Sequence, residues 1–384
     1  LTFAENRTIL RQTELLPVTL YIYQIPTWPE FTWNEKVISA HLSSIRHKQG
    51  IFSGQMRSIG FEQQSDTRIR ALQEEIVRSF AIEGESLDPE QVRSSIARHL
   101  GIESAAIPEE EQEIDGIVEM ALDATENHSH PLTEERLFTW HSALFPSGRS
   151  GLKKITVADW RKPGSDPMLV VSGRMGREVV HYEAPKAKSV PKEMKRFLTW
   201  FRQETEMDSI LKSAVSHFWF LTIHPFEDGN GRIARAISDM LLTRSEEGLP
   251  KFYSMSSGIQ KERKQYYEIL EFSQKADLDI TRWISWYLDC LGRSIQFAEE
   301  TVELVLKKSA FWRKHSGVSL NERQIKVLKW ALEGTKDPLT SSKYAKLTHS
   351  SQDTASRDIQ DLISKGILKK ESAGGRSTHY STLL

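Results

Sequence analysis

Cysteine is nearly missing from this chain: its 384 residues contain one, Cys290. A lone thiol cannot close an internal disulfide, which excludes a disulfide-stapled fold and fits a reducing compartment. Within "WYLDCLGRS" it reads as a small buried hydrophobe on a helix. Net charge is missing too. The 51 Lys and Arg residues stand against 52 Asp and Glu, so the whole molecule has no electrostatic bias toward nucleic acid or membrane. No apolar run approaches the ~18–20 residues of a membrane span, and no basic-then-apolar stretch opens the sequence. The expectation is a soluble, cytoplasmic protein. Internal repeats and low-complexity tracts are also absent.

What remains is an ordinary globular balance, 39% hydrophobic and 27% charged, which argues against disorder. The length suggests two or three domains. The first twenty or so residues show no period and read as an arm or tag, followed by a rigid "IPTWPEFTW". Helical spacing runs from Asn34 to Leu100, with Ile38, Leu42 and Ile45 on one stripe. "SLDPEQVRSSIARHLG" has Pro89 in its first turn and Gly101 at its end. The stretch "IESAAIPEEEQEIDG" holds six acids and no base, and reads as a solvated linker. Between Lys153 and Ala184 the period shortens. "MLVVSG" and "EVVHYE" joined by "RMGR" have the pattern of a β-hairpin turning at Gly176. Helices resume from Lys192 to about Lys314.

Chemistry concentrates in "HPFEDGNGRIAR", His224–Arg235. Leu211, Ala214, Val215, Phe218 and Leu221 predict a buried helix delivering His224 at its end. Ile233, Ile237 and Leu241 predict a second helix starting near Asn230. Gly229, Asn230 and Gly231 thus lie at a helix N-terminus, where free N–H groups and the helix dipole favour anions. Arg232 and Arg235, three apart, both reach phosphate oxygens from that turn. Asp228 is a lone carboxylate beside the cradle, suited to Mg²⁺. The ordinary pKa of His224, near ~6.5, suits a general base. A capped helix–helix loop with a surface ion pair would leave this combination unexplained.

The run resembles the Fic-family signature H-x-F-x-[DE]-G-N-G-R-x-x-R at every specified position. The resemblance implies a mainly α protein with a Fic-type helical core and transfer of a nucleotide monophosphate, usually AMP from ATP, to a protein hydroxyl. It implies that His224 deprotonates the incoming Ser, Thr or Tyr hydroxyl and that Asp228 holds Mg²⁺ between the α- and β-phosphates. Gly229, Asn230 and Gly231 would bind phosphate, Arg232 the β-phosphate and Arg235 the γ-phosphate. Phe226 would anchor the loop in the core, with Pro225 and Glu227 structural. The hairpin resembles the family's flap, whose Val170, Val171, Val179 and Val180 would dock an extended target segment. Tyr266 and Tyr267 fall where the family lines the nucleotide base. His217 reads as structural.

"SFAIEG" at Ser79–Gly84 matches the family's inhibitory pattern [ST]-x-x-x-E-[GN]. The resemblance implies that Glu83 pairs with Arg235 in place of the γ-phosphate and that Ser79 supports the inhibitory helix.

Residues 321–384 carry 11 basic and 7 acidic side chains, a local excess of +4. Three helical patterns and a two-strand tail with Gly374 and Gly375 at its tip predict a winged helix-turn-helix. Ala355, Ile359 and Leu362 would be buried, leaving Ser351, Gln352, Ser356, Arg357 and Gln360 for DNA, with Lys369, Lys370 and Arg376 on the wing. Protein docking or dimerisation is an alternative use of such a module, and homodimers are common in the family. The expected domains are 1–105 (helical, with the inhibitory motif), 106–314 (Fic core) and 315–384 (winged helix). Three alternatives stand beside AMP transfer: removal of AMP at the same site, an ATP-sensing DNA-binding regulator, and transfer of another nucleotide or phosphocholine.

Overall fold

The computed structural model describes residues 21–101, 112–164, 167–172, 179–203, 206–332, 338–371 and 378–382. The expected arm, the hairpin turn at Gly176, Gly334, and the tail tip with Gly374, Gly375 and Arg376 lie outside these residues. The protein is mainly α, with short strands paired two by two. The chain forms two compact units, Leu1–Ile295 and Gln296–Leu384, and one long helix, Thr281–Lys314, crosses that boundary in sequence.

The first unit opens with α1 (Glu35–Ser58), α2 (Phe61–Glu83) and α3 (Pro89–His99). The Asn34 side chain accepts from the Val37 N–H, and the Asp88 side chain accepts from the Glu90 N–H ahead of Pro89, so local capping sets two of these starts. Next come α4 (Gln112–Glu126) and α5 (Glu134–Leu144). The expected linker is shorter than its composition suggested. Residues 112–116 belong to α4, and Asp115 is buried because it accepts from Ser95 at 2.6 Å and lies 3.2 Å from the His99 ring. Acidic residues in a first helical turn favour the helix dipole, which composition alone does not reveal.

Two hairpins follow, β1 (Arg149–Ser150) with β2 (Lys153–Lys154), and β3 (Leu169–Ser172) with β4 (Val179–Glu183). Then come α6 (Val190–Arg202), α7 (Ser209–Ile223), α8 (Asn230–Arg244), α9 (Met255–Lys261), α10 (Arg263–Gln274) and α11 (Thr281–Lys314). Helix α7 is buried on every side from Ile210 to Ile223, as expected for a central helix. Each large side chain it buries, such as Phe218 or Phe220, contributes about 1.5–3 kcal/mol. Trp283 donates to the Ala214 carbonyl at 2.8 Å, tying α11 to that helix. His217 bonds Ser238 Oγ at 2.8 Å and the Tyr266 hydroxyl at 2.9 Å, and burial pushes its imidazole down to about 3. Cys290 is wholly buried, and burial pushes its thiol up.

Helix α2 packs against α3, α4, α8 and α9. A buried polar seam fixes it there. Glu75 accepts from Ser254 Oγ at 2.9 Å and the Ser256 N–H at 3.1 Å, while Lys251 sits 2.8 Å from Asp239 and 3.8 Å from Glu75. Buried charges persist only when paired and hydrogen-bonded, so this seam sets how α2 lies on α8.

The second unit contains α12 (Glu322–Ala331), α13 (Ser341–Thr348), α14 (Gln352–Ser364) and the antiparallel pair β5 (Leu368–Lys370) and β6 (Tyr380–Thr382). Val327, Leu328, Tyr344, Ala355, Ile359 and Leu362 share its core. Asp358 joins the three helices by accepting from Arg323 at 2.8 Å, Asn321 at 3.1 Å and Tyr344 at 3.1 Å. Gln352, Ser356, Arg357 and Gln360 are exposed on α14, as is its N-cap Ser351, and Lys369 and Lys370 are exposed on β5.

Candidate active site

Helix α7 stops at His224, whose φ of 51° is left-handed, and its N–H closes on the Phe220 carbonyl at 3.0 Å. Arg161 fixes this corner. Its Nε donates to the His224 carbonyl at 2.8 Å, its Nη2 donates to the Pro185 carbonyl, and its backbone N–H donates to the Pro225 carbonyl at 2.9 Å. The His224 Nδ1 lies 3.3 Å from the Leu221 carbonyl. A carbonyl only accepts, so Nδ1 carries the proton and Nε2 keeps its lone pair. Burial, then the Arg161 guanidinium, push this imidazole down to about 4. At neutral pH it is uncharged and able to accept a proton.

The loop from Pro225 to Gly229 is held from several sides. Phe226 is fully buried and stacks on the His141 ring at 4.1 Å and 9°. His141 Nδ1 accepts from the Ala158 N–H at 3.3 Å, which leaves Nε2 to donate to the Asp228 carbonyl at 3.2 Å. Burial pushes His141 down to about 4. Glu227 accepts from Thr156 Oγ1 at 2.7 Å. Asn230 bridges the turn, its Oδ1 accepting from the Phe226 N–H and its Nδ2 donating to the Phe226 carbonyl, both at 2.9 Å. The Asn230 side chain is thus committed to shaping the loop, which leaves its backbone N–H, in the first turn of α8, as the group that can face an anion. Gly229 has φ 81°, and a Cβ there would lie 2.9 Å from the Phe145 ring. Only glycine fits that step.

Asp228 accepts from the Ser150 hydroxyl and, at 2.5 Å, from the Gly229 N–H. Its side chain is 40% exposed. One carboxylate with a hydroxyl against it is a hard-oxygen set that fits Mg²⁺, an ion that takes its remaining ligands from substrate and water.

Both motif arginines are almost fully buried, and both reach the end of α2. Arg235 donates through Nη2 to Glu83 Oε1 at 2.8 Å and to the Ser79 carbonyl at 2.9 Å, and through Nε to Ser79 Oγ at 2.8 Å. Glu83 lies directly over the start of α8, since a Cβ on Gly231 would fall 2.1 Å from its Oε1. Arg232 donates to Glu85 Oε2 at 3.0 Å and lies 3.4 Å from Asp228 Oδ1. Its guanidinium is sandwiched between Phe80 and Phe145, 5.0 Å from each ring. Helix α10 clasps the same end, with Arg263 Nε donating to the Ile82 carbonyl at 2.6 Å and the Tyr267 hydroxyl 3.3 Å from Glu83 Oε2. Tyr266 requires a correction. It is buried with its hydroxyl on His217, and belongs to the core rather than to a base-lining surface.

The β3–β4 hairpin pairs Val170 with Tyr182, Val171 with Val180 and Ser172 with Val179. Tyr182 anchors it by donating to the Thr222 carbonyl at 2.6 Å, and His181 bonds Glu271 at 2.5 Å. Val171, Val179 and Val180 stay roughly half exposed, at 48%, 56% and 45%. The sequence reading brought His224, Asp228, both arginines, Ser79 and Glu83 to one place. It did not find Arg161, His141, Ser150 or Glu85, which reach the site from distant segments or, for Glu85, across a turn.

Residues 131–242 match the model of the Fic/DOC family. The chain carries a Fic/DOC-family domain. Residues 21–102 match a domain of unknown function, DUF4172. A protein adenylyltransferase Fic from Culex quinquefasciatus is 30% identical over 135 residues, 34% of this chain and 25% of that protein. A probable protein adenylyltransferase from Aquifex aeolicus is 29% identical over 124 residues, 32% of this chain and 35% of the relative. The chain thus spans about a quarter to a third of these relatives. The crystal structure of a Fic family protein from Desulfovibrio desulfuricans G20 superposes with a TM-score of 0.52 at 22% identity, covering 92% of this chain and 98% of that one. At that identity the likeness concerns the fold. His224–Arg235 lies inside the Fic/DOC domain, whereas Ser79, Glu83 and Glu85 lie in the other matched segment.

Proposed function

We propose that the Fic/DOC domain transfers AMP from ATP to a Ser, Thr or Tyr hydroxyl of a protein, and that Glu83 restrains it. The observation that carries this reading is a neutral His224 with Nε2 unprotonated, on the same loop as an anion cradle backed by two buried arginines. The target hydroxyl gives its proton to His224 Nε2, and its oxygen attacks the α-phosphorus. The bond from that phosphorus to the bridging oxygen breaks, and pyrophosphate leaves with the electron pair. Arg232 and Arg235 stabilise charge on the leaving phosphates, and the first-turn N–H groups of α8 receive the α-phosphate. Mg²⁺ held through Asp228 supplies further charge neutralisation there. The exposed valines of the hairpin offer an edge on which an extended target strand can pair.

Glu83 acts against this chemistry by occupying Arg235 and covering Gly231, so the triphosphate meets a carboxylate where its end should rest. The test is incorporation of labelled AMP into protein in a Glu83→Gly background. Replacing His224 with Ala should lower it by roughly 10²–10⁴-fold with an unchanged melting temperature. Incorporation that persists without His224 would refute the assignment.

A further inference from the structure

The inhibitory contact contains a second acid. We infer that Glu85 and Glu83 act as a pair, Glu85 occupying the arginine meant for the β-phosphate while Glu83 occupies the one meant for the γ-phosphate. This rests on the nucleotide reading above and adds to it how the brake works: it displaces the two terminal phosphates from their binding site, and does not merely misalign a bound ATP.

The geometry comes from one residue. In an uninterrupted helix, positions 83 and 85 would lie about 200° apart and face opposite sides. Gly84 interrupts α2 with φ 87°, and the chain reverses so that both carboxylates reach α8. Glu83 meets Arg235 at 2.8 Å and Glu85 meets Arg232 at 3.0 Å. The Arg232 side chain is 3% exposed and lies between two aromatic rings, where an unpaired charge is costly. The two acids nevertheless leave the guanidinium groups incompletely matched. Arg232 Nε and Arg235 Nη1 are buried without an acceptor among the described residues. Carboxylates bring two oxygens each, and a phosphate chain brings more, so the arginines are built for a richer anion than the one they hold. Burial raises the Glu85 carboxyl above its ordinary range, and Asp228 and Glu83 add to that shift, so its position beside other acids is unfavourable without Arg232.

The experiment compares binding of AMP, ADP and ATP, each with Mg²⁺, to the full chain in five forms: wild type, Glu83→Gly, Glu85→Ala, Glu85→Gln and the double variant of Glu83→Gly with Glu85→Ala. Fluorescent N-methylanthraniloyl nucleotides report affinity, and labelled AMP incorporation is measured alongside. Glu85→Ala should tighten ADP and ATP by roughly tenfold while leaving AMP unchanged, because only the first two carry a β-phosphate. The double variant should bind ATP about tenfold more tightly than Glu83→Gly. Glu85→Gln is included as the neutral isostere and should reproduce the gain. Equal ADP affinity with and without Glu85 overturns the proposal. So does an equal gain for all three nucleotides, which indicates general loosening. If Glu83→Gly binds ATP and transfers AMP but Glu85 has no effect, the second acid is refuted and the enzymatic reading stands. If none of the five forms binds a nucleotide, the enzymatic reading fails and the paired-acid proposal fails with it.

Discussion

The loop that carries His224 and the end of α2 that carries Glu83 face the same helix start, yet they are secured in opposite ways. The loop is fastened mainly through its backbone. Arg161 takes the carbonyls of His224 and Pro225, Asn230 takes both polar groups of Phe226, and His141 takes the carbonyl of Asp228. The α2 end meets α8 through the side chains of Glu83, Glu85 and Ser79, with backbone bonds, among the described residues, only at the Ser79 and Ile82 carbonyls. Backbone anchors fix geometry whatever the side chains encounter. Side-chain ion pairs can be exchanged for another anion of the right shape, because a phosphate oxygen replaces a carboxylate oxygen on the same guanidinium. The base is permanently set, and the brake is replaceable.

The strongest way to break this contrast is to loosen the loop. Arg161→Lys keeps the charge but loses the planar fork that spans two carbonyls. In the Glu83→Gly background it should lower AMP incorporation by about 10²-fold, since a displacement of about 1 Å at the reacting group costs that much. Nucleotide affinity should change little. A parallel fall in affinity would mean that Arg161 supports the cradle as well as the base.

A smaller effect sharpens the account of the fixed side. His141 and His217 are wholly buried and are pushed by burial to about 4 and about 3. In the unfolded chain both take up a proton near pH ~6.5. Between that value and their folded values the unfolded state binds more protons, so stability falls as pH falls. The loss is at most about 1.4 kcal/mol per pH unit for each histidine. Urea denaturation at pH 7 and pH 5.5 should show a drop of about 2.5 kcal/mol from these two, to which His224, also held neutral by burial, adds about 1 kcal/mol. Equal stability at the two values would mean that these imidazoles are not held neutral.

How much of this was legible in the sequence depends on the range of the contact. His224, Asp228, Arg232 and Arg235 share one short run, and Ser79 and Glu83 share one helix face, so spacing and a short pattern found them. Arg161, His141 and Ser150 meet the loop from segments 63–87 residues away. No local period signals such a meeting. Glu85 was hidden for a different reason: helical periodicity places it opposite Glu83, and only the left-handed turn at Gly84 reverses that. Tyr266 was assigned to a ligand because the pattern marks its position, whereas its hydroxyl bonds His217 in the core. The β1–β2 hairpin has two residues per strand, too few for alternation to register.

The central claim is that Arg235 has two competing partners, Glu83 and the terminal phosphate. AMP incorporation by wild type, Glu83→Gly, Arg235→Ala and the combined variant tests it most directly. Glu83→Gly should raise incorporation at least about tenfold, and adding Arg235→Ala should abolish that gain. A gain that survives the loss of Arg235, or no gain when Glu83 is removed, would contradict the account.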